Sequence, residues 1–256
     1  MTKKEILDAI HGKMIISCQA VEGEPLYVEE KSIMYLMARA AKQAGTPAIR
    51  TSSIRDVIAI KEETGLPVIG LVKIQYPGYE GYITPTMKEV DDLVAAGSDV
   101  VALDCTLRKR GDGITVNEFI AQIKEKYPDI ILMADISNYE EGINAWKCGV
   151  DIVGTTMSGY TDYTSKKDEP DYELMERLAK DTDIPIIGEG KIHYPDQAVK
   201  ALQTGVWAIV VGGWKSHRDF RRQLRQINKM RTKKDVSELH ILFCYSKCSI
   251  LWNGYK

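Results

Sequence analysis

The residues able to do chemistry in this sequence stand at regular places, each at or just after the end of a short apolar run. Lys73 closes Pro67-Val-Ile-Gly-Leu-Val-Lys73, Arg50 closes Pro47-Ala-Ile-Arg50, Asp104 closes Val100-Val-Ala-Leu-Asp104, Asp135 closes Ile130-Ile-Leu-Met-Ala-Asp135, and Glu189 closes Pro185-Ile-Ile-Gly-Glu189. Gln19 follows the first such run, Thr155 and Thr156 end the sixth, and Gly212 with Gly213 end the eighth. A desolvated lysine loses proton affinity, so Lys73, neutral through burial, would be a usable base or nucleophile. A lysine and a glutamate facing each other across one site can act as base and acid on a single carbon. Arg50 and the aspartates can bind hydroxyls and a developing oxyanion. The glycine-containing stretches Gly188-Glu-Gly190-Lys191 and Gly212-Gly213 offer bare backbone amides, which suit a phosphate. No histidine stands at the end of a run, and no cysteine/histidine group before the C-terminal tail has zinc spacing, so metal catalysis is not indicated. The competing explanation of these charges is a ring of salt bridges closing the mouth of the fold, and it is strongest for Asp104 taken alone.

The runs are rich in β-branched residues and bounded by Gly and Pro, which marks buried parallel strands. Helical patterns separate them: Ser32 to Gln43, Ser53 to Thr64, Thr86 to Ala96, Val116 to Tyr127, Tyr139 to Cys148, Tyr172 to Lys180 and Pro195 to Gln203. Gly45, Gly97, Gly149 and Gly205 each stop a helix just before a strand. Eight strand–helix alternations with short connections predict a parallel sheet, and eight strands close a barrel. The expected fold is therefore α/β, a (β/α)8 TIM barrel in a single domain over residues 1–230. Its strand ends converge on one face, where such barrels build their sites. An open doubly wound sheet would carry a glycine-rich phosphate loop after its first strand, and Cys18-Gln19-Ala20-Val21 stands there instead.

Composition narrows the function classes. The 256 residues carry a formal net charge of −2, with 44% hydrophobic and 27% charged side chains, which argues against disorder and against a general affinity for nucleic acid or membrane. No apolar run is long enough to span a bilayer. The N-terminus, Met1 to Ile10, is amphipathic and charged, unlike a signal peptide. Five irregularly spaced cysteines fit reduced thiols, and hence a cytoplasmic location, better than a disulfide framework.

Gly70-Leu-Val-Lys73, Val101-Ala-Leu-Asp104, Leu132-Met-Ala-Asp135, Gly154-Thr-Thr-Met-Ser-Gly-Tyr-Thr161, Gly188-Glu-Gly190 and Val211-Gly-Gly213, in that order, resemble the N-acetylmannosamine-6-phosphate 2-epimerase family. The resemblance runs from about Met14 to Gly213, and the run from Gly154 to Thr161 is its most distinctive part. It implies a cytoplasmic (β/α)8 isomerase, an N-acylglucosamine-6-phosphate 2-epimerase, which interconverts N-acetylmannosamine 6-phosphate and N-acetylglucosamine 6-phosphate in sialic acid catabolism. By that resemblance Lys73 matches the catalytic lysine and Glu189 its partner carboxylate. Gln19, Arg50, Asp135, Thr155, Tyr160, Gly190, Gly212 and Gly213 fall to substrate binding. No metal and no cofactor are expected. The partner is a small amino-sugar phosphate, with no nucleic acid or membrane, and a homodimer is left open.

Beyond Gly213 the resemblance stops. Trp214-Lys-Ser-His217-Arg218 replaces the family's Thr-Arg-Pro turn, whose arginine holds phosphate, and a basic run from Arg221 to Lys234 follows. Residues 231–256 form an atypical tail expected to be disordered or poorly packed, and its His240, Cys244 and Cys248 are read as an accidental grouping. Two other functions compete with the epimerase. One is a Schiff-base aldolase or lyase using the strand-end lysine. The other is a catalytically weakened sugar-phosphate binder with a damaged eighth unit.

Overall fold

The computed structural model describes residues 1–166 and 168–212. Gly213, the turn from Trp214 to Arg218, the basic run, the domain boundary at 230 and the tail 231–256 lie outside the described residues. Within them the elements run α1 (Lys3–Ile10), β1 (Met14–Ser17), α2 (Met34–Gln43), β2 (Ile49–Ser52), α3 (Ile54–Thr64), β3 (Val68–Leu71), α4 (Met87–Ala95) and β4 (Val100–Asp104). They continue with α5 (Val116–Lys126), β5 (Ile131–Asp135), α6 (Tyr139–Lys147), β6 (Ile152–Gly154), α7 (Tyr172–Asp181), β7 (Ile186–Gly188), α8 (Pro195–Gln203) and β8 (Ala208–Val211). Every strand pairs in parallel with the next, and β1 pairs with β8 through Ile15 and Val210. The sheet is closed, so the (β/α)8 barrel expected from the strand count is the fold.

Side chains alternate across a strand, and here the alternation separates two cores. Ile15, Ala48, Ile69, Leu71, Val100, Ala102, Ile131, Met133, Ile152, Ile187, Ala208 and Val210 form the cluster inside the barrel. Their neighbours Ile16, Ile49, Val68, Val101, Leu132, Val153, Ile186 and Ile209 point outward and pack with helix residues such as Val57, Leu93, Phe119 and Leu178. Full burial of one such aliphatic side chain stabilises the fold by roughly 1.5–3 kcal/mol.

The charged N-terminal stretch is a helix, started by a capping box between Thr2 and Glu5. Its Ile6 and Ile10 join the interior cluster, and the Trp207 indole just before β8 donates to the Leu7 carbonyl at 2.9 Å. α1 thus plugs the end of the barrel where the strands begin. The glycines predicted to end helices do so in the left-handed region, Gly45 at φ +95° and Gly97 at +83°. The helix after β1 starts at Met34, two residues later than expected, because the Ser32 hydroxyl accepts from the Met34 amide in a turn of its own.

Candidate active site

At the opposite end, where the strands finish, lies an open cavity of about 420 Å³. Strand alternation decides which side chains reach it. Counting two residues on from the interior positions gives Ser17 and Gln19 after Ile15, Arg50 after Ala48, Lys73 after Leu71 and Asp135 after Met133. The same count gives Thr156 after Ile152 and Gly154, Glu189 after Ile187 and Gly212 after Val210. All of these except Asp135 line the cavity.

Arg50 is the hub. Its side chain is 1% exposed, and Nη2 donates to Asp135 Oδ2 at 2.6 Å, across the barrel from β2 to β5. Nε lies 3.3 Å from Glu189 Oε1, an ion pair without hydrogen-bond alignment. Thr156 Oγ1 sits 2.7 Å from Asp135 Oδ1 and 3.1 Å from Glu189 Oε2, and its single proton serves one carboxylate at a time. Two carboxylates therefore share one buried cation. Burial raises the Glu189 carboxyl above its ordinary value; Arg50 opposes this and the charge of Asp135 adds to it. Burial raises Asp135 as well, with Arg50 and Thr156 pulling against it.

Lys73 differs from its expectation. β3 ends at Leu71, so Lys73 stands two residues beyond the strand, in an isolated antiparallel bridge with Ile83. It keeps contact with solvent at the cavity, so the burial expected of it is only partial. Its ammonium is still held below the ordinary lysine value. Partial desolvation against the cavity wall is the larger cause and the Arg50 charge the second, with Glu189 opposing. Because the side chain keeps its access to solvent, the direction holds without the full effect of a buried lysine.

A family model described as "Putative N-acetylmannosamine-6-phosphate epimerase" matches residues 34–221. The chain belongs to this family. It is 52% identical over 208 residues to a protein of Caldanaerobacter subterraneus subsp. tengcongensis named "Putative N-acetylmannosamine-6-phosphate 2-epimerase", with 81% of this chain and 87% of that one covered. A protein of the same name from Clostridioides difficile is 48% identical over 207 residues, covering 81% and 91%. The solved N-acetylmannosamine-6-phosphate 2-epimerase from Clostridium perfringens matches at 45% identity with a TM-score of 0.77, covering 89% of this chain and 95% of that structure.

The other expected site residues of this family member divide into those at the cavity and those behind it. Gln19 lines it; its Nε2 donates to Ser17 Oγ at 2.8 Å, while its buried Oε1 meets no donor among the described residues. An unpaired buried acceptor costs about 1–3 kcal/mol, which a ligand N–H or O–H would relieve. Tyr160, 55% exposed, stands at the rim with Lys191 Nζ 4.9 Å above its ring, and Gly190 lines the floor beside them. Gly212 must be glycine, since a Cβ there would lie 2.8 Å from Ser17 Cβ and push β8 off β1. Asp135, expected at the substrate, stands fully buried behind Arg50 and holds the arginine instead. Thr155, also expected at the substrate, has outward alternation and is fully buried. Its hydroxyl donates to the Glu189 carbonyl at 2.9 Å and accepts from the Glu189 amide at 3.0 Å, so it fixes the end of β7. Asp104 leaves the group altogether: its carboxylate takes Arg108 Nη2 at 2.6 Å and Thr106 Oγ1 at 2.6 Å, beside a separate small pocket.

Glu24, Tyr82 and His193 line the cavity without having been expected there. Thr156 was open to sequence reasoning, because period-two alternation from Ile152 selects it over Thr155. Glu24, Tyr82 and His193 lie on loops, where no periodicity points. Among the described residues no group of three His, Cys, Asp or Glu is arranged to hold a metal ion, and no helix is long and apolar enough to cross a membrane.

Proposed function

We propose that this chain interconverts N-acetylmannosamine 6-phosphate and N-acetylglucosamine 6-phosphate by removing and returning the proton at C2, as a step of sialic acid catabolism. The observation that carries the reading is one cavity lined by both Lys73 and Glu189, the amine with lowered and the carboxyl with raised proton affinity, around the buried charge of Arg50. Opposite shifts bring an acid and a base toward each other and toward neutrality, which is what proton exchange at one carbon requires.

Ring opening places an aldehyde at C1 and acidifies the neighbouring C2 proton. Lys73 takes or returns that proton on one face and Glu189 serves the other. Arg50 stabilises the enediolate oxygen, held in place for that by Asp135. The 6-phosphate is received by the amides near Gly190 and Gly212. Proton removal and return balance without an oxidant, so the chemistry calls for no redox cofactor. Turnover of N-acetylmannosamine 6-phosphate in heavy water, followed by NMR, should place deuterium at C2 of the product. Product formed without label would refute the proton-exchange reading.

A further inference from the structure

Lys73 lies outside its strand, so something other than the sheet ladder must aim it. The β3–β4 ladder runs only through Ile69–Val100 and Gly70–Val101. Beyond it the chain turns back, and residues 82–84 slip between the ends of the two strands. Ile74 N donates to the Tyr82 carbonyl at 2.9 Å, and Asp104 N donates to the Ile83 carbonyl at 2.9 Å. Thr84 closes this insertion. Its amide donates to the Val72 carbonyl at 2.7 Å, its Oγ1 accepts from the Val72 amide at 3.2 Å, and the same hydroxyl donates to the Ala102 carbonyl at 2.7 Å. One fully buried threonine thereby takes both polar groups of the residue that precedes Lys73, and ties that residue to β4.

Thr84 does this at a cost. Its φ is +47°, in the left-handed region that a β-branched residue rarely adopts. Pro85 follows, which further restricts the backbone of the residue before it. Strain of this kind persists where surrounding contacts over-determine it, and such positions gather at functional sites. Glycine or asparagine would relax the backbone, but neither offers a hydroxyl at that point.

We propose that Thr84 is the positioning residue that aims the Lys73 amine into the cavity. The proposal rests on Lys73 being the base of the reaction above, but its geometric content can be read without turnover. The charges facing Lys73 are Arg50 from β2, Glu189 after β7, Glu24 in the loop after β1 and, behind Arg50, Asp135 of β5. An amine that swings out of that setting behaves as an ordinary surface lysine.

The test compares Thr84→Ser, which keeps the hydroxyl, with Thr84→Val, which keeps the branched shape without it. Thr84→Gly also removes the hydroxyl but relieves the backbone, so it remains informative if the valine variant does not fold. Two readouts are taken: steady-state kinetics on N-acetylmannosamine 6-phosphate, and the pH midpoint for acylation of Lys73 by an amine reagent, read by peptide mass spectrometry. Thr84→Val and Thr84→Gly should lower kcat by about 100-fold, the scale expected of a misplaced catalytic group, with KM little changed. Their Lys73 midpoints should move up toward that of a free lysine. Thr84→Ser should keep both properties close to those of the native chain. Native kcat and a native Lys73 midpoint in folded Thr84→Gly or Thr84→Val would overturn the proposal. If the native chain shows no epimerase turnover, the functional reading fails while the labelling midpoints still decide the positioning role.

Discussion

Replacing Arg50 by methionine should be among the most damaging single changes in the barrel. The guanidinium is 1% exposed and Asp135 not at all, so the substitution leaves a dry carboxylate with only the Thr156 hydroxyl for company. Removing one partner of a buried ion pair costs about 3–5 kcal/mol, because the remaining charge is stranded. For a chain of this size that is a fall in Tm of roughly 6–20 °C. Adding Asp135→Asn removes the stranded charge, so the double variant should be more stable than the sum of the two losses by about 1–3 kcal/mol. The pH dependence has a definite sign. Without Arg50 the Asp135 and Glu189 carboxyls rise further above their unfolded values, and the folded variant binds more protons than the unfolded chain. Stability is then lost as pH rises from the unfolded carboxylate value through the raised folded one. The damage at pH 7 should accordingly shrink on acidification to about pH 5. Urea denaturation followed by circular dichroism at the two pH values measures all of this. A loss below about 1 kcal/mol, or strict additivity in the double variant, would show that Arg50 and Asp135 are not coupled as their 2.6 Å contact requires.

Lys73→Met should abolish deuterium incorporation at C2 while leaving stability within about 0.5 kcal/mol, since the side chain is exposed and forms no ion pair among the described residues; a melting curve beside the NMR assay checks both halves. Glu189→Gln removes a charge that holds the Lys73 proton on, so the acylation midpoint of Lys73 should move to lower pH, and a rise would contradict the arrangement. Thr156→Val removes a hydroxyl that favours the ionised form of Glu189, so the limb of the pH–rate profile belonging to that carboxyl should move up, with a stability loss of about 1–2 kcal/mol. Borohydride added with substrate should leave Lys73 unmodified; a reduced adduct on it would favour imine chemistry instead.

The fold was largely open to reading because its evidence is local. Each strand is a short run of buried apolar residues bounded by a turn, and the glycines at 45, 97, 149 and 205 announce the helix ends without help from distant chain. The site was open only in part. Residue types at strand ends pointed to Arg50, Lys73, Asp104, Asp135 and Glu189 as a group, and the structure takes Asp104 out of it, paired with Arg108 and away from the cavity. Which partner each one meets is decided across the barrel, 85 residues apart for Arg50 and Asp135. Desolvation is equally non-local: nothing near Lys73 in the chain says that β3 stops at Leu71 and leaves the lysine at an open rim. Residue type could not choose between Thr155 and Thr156, since both are threonines; the alternation of β6 separates them.

That alternation is the stronger rule, and it says why the charges are divided as they are. A closed barrel packs its interior with every second residue, so any polar side chain at the next inward position must leave water unless the cavity or a partner receives it. Arg50, Asp135 and Glu189 solve the problem jointly, one cation between two carboxylates. Asp104 has the same inward count from Val100 and Ala102, yet it has its own cation, Arg108, four residues along the chain, and Thr106 beside it. A carboxylate satisfied locally has no reason to enter the hydrogen-bond network around Arg50, although its charge still reaches Asp135 and Tyr82 and raises both. Had Asp104 joined, three carboxylates would crowd one buried arginine, and proton affinity would rise at all of them together. With Asp104 held by Arg108, Glu189 is raised first by its own burial and then by its neighbour Asp135. Arg108→Met should therefore perturb the site from outside it. Freed of the opposing Arg108 charge, Asp104 would press more strongly on Asp135, which it already raises, and the pH–rate limb of Glu189 should move up although no residue lining the cavity has changed. An unmoved limb in a folded Arg108→Met variant would mean that Asp104 is insulated from the site by more than its ion pair.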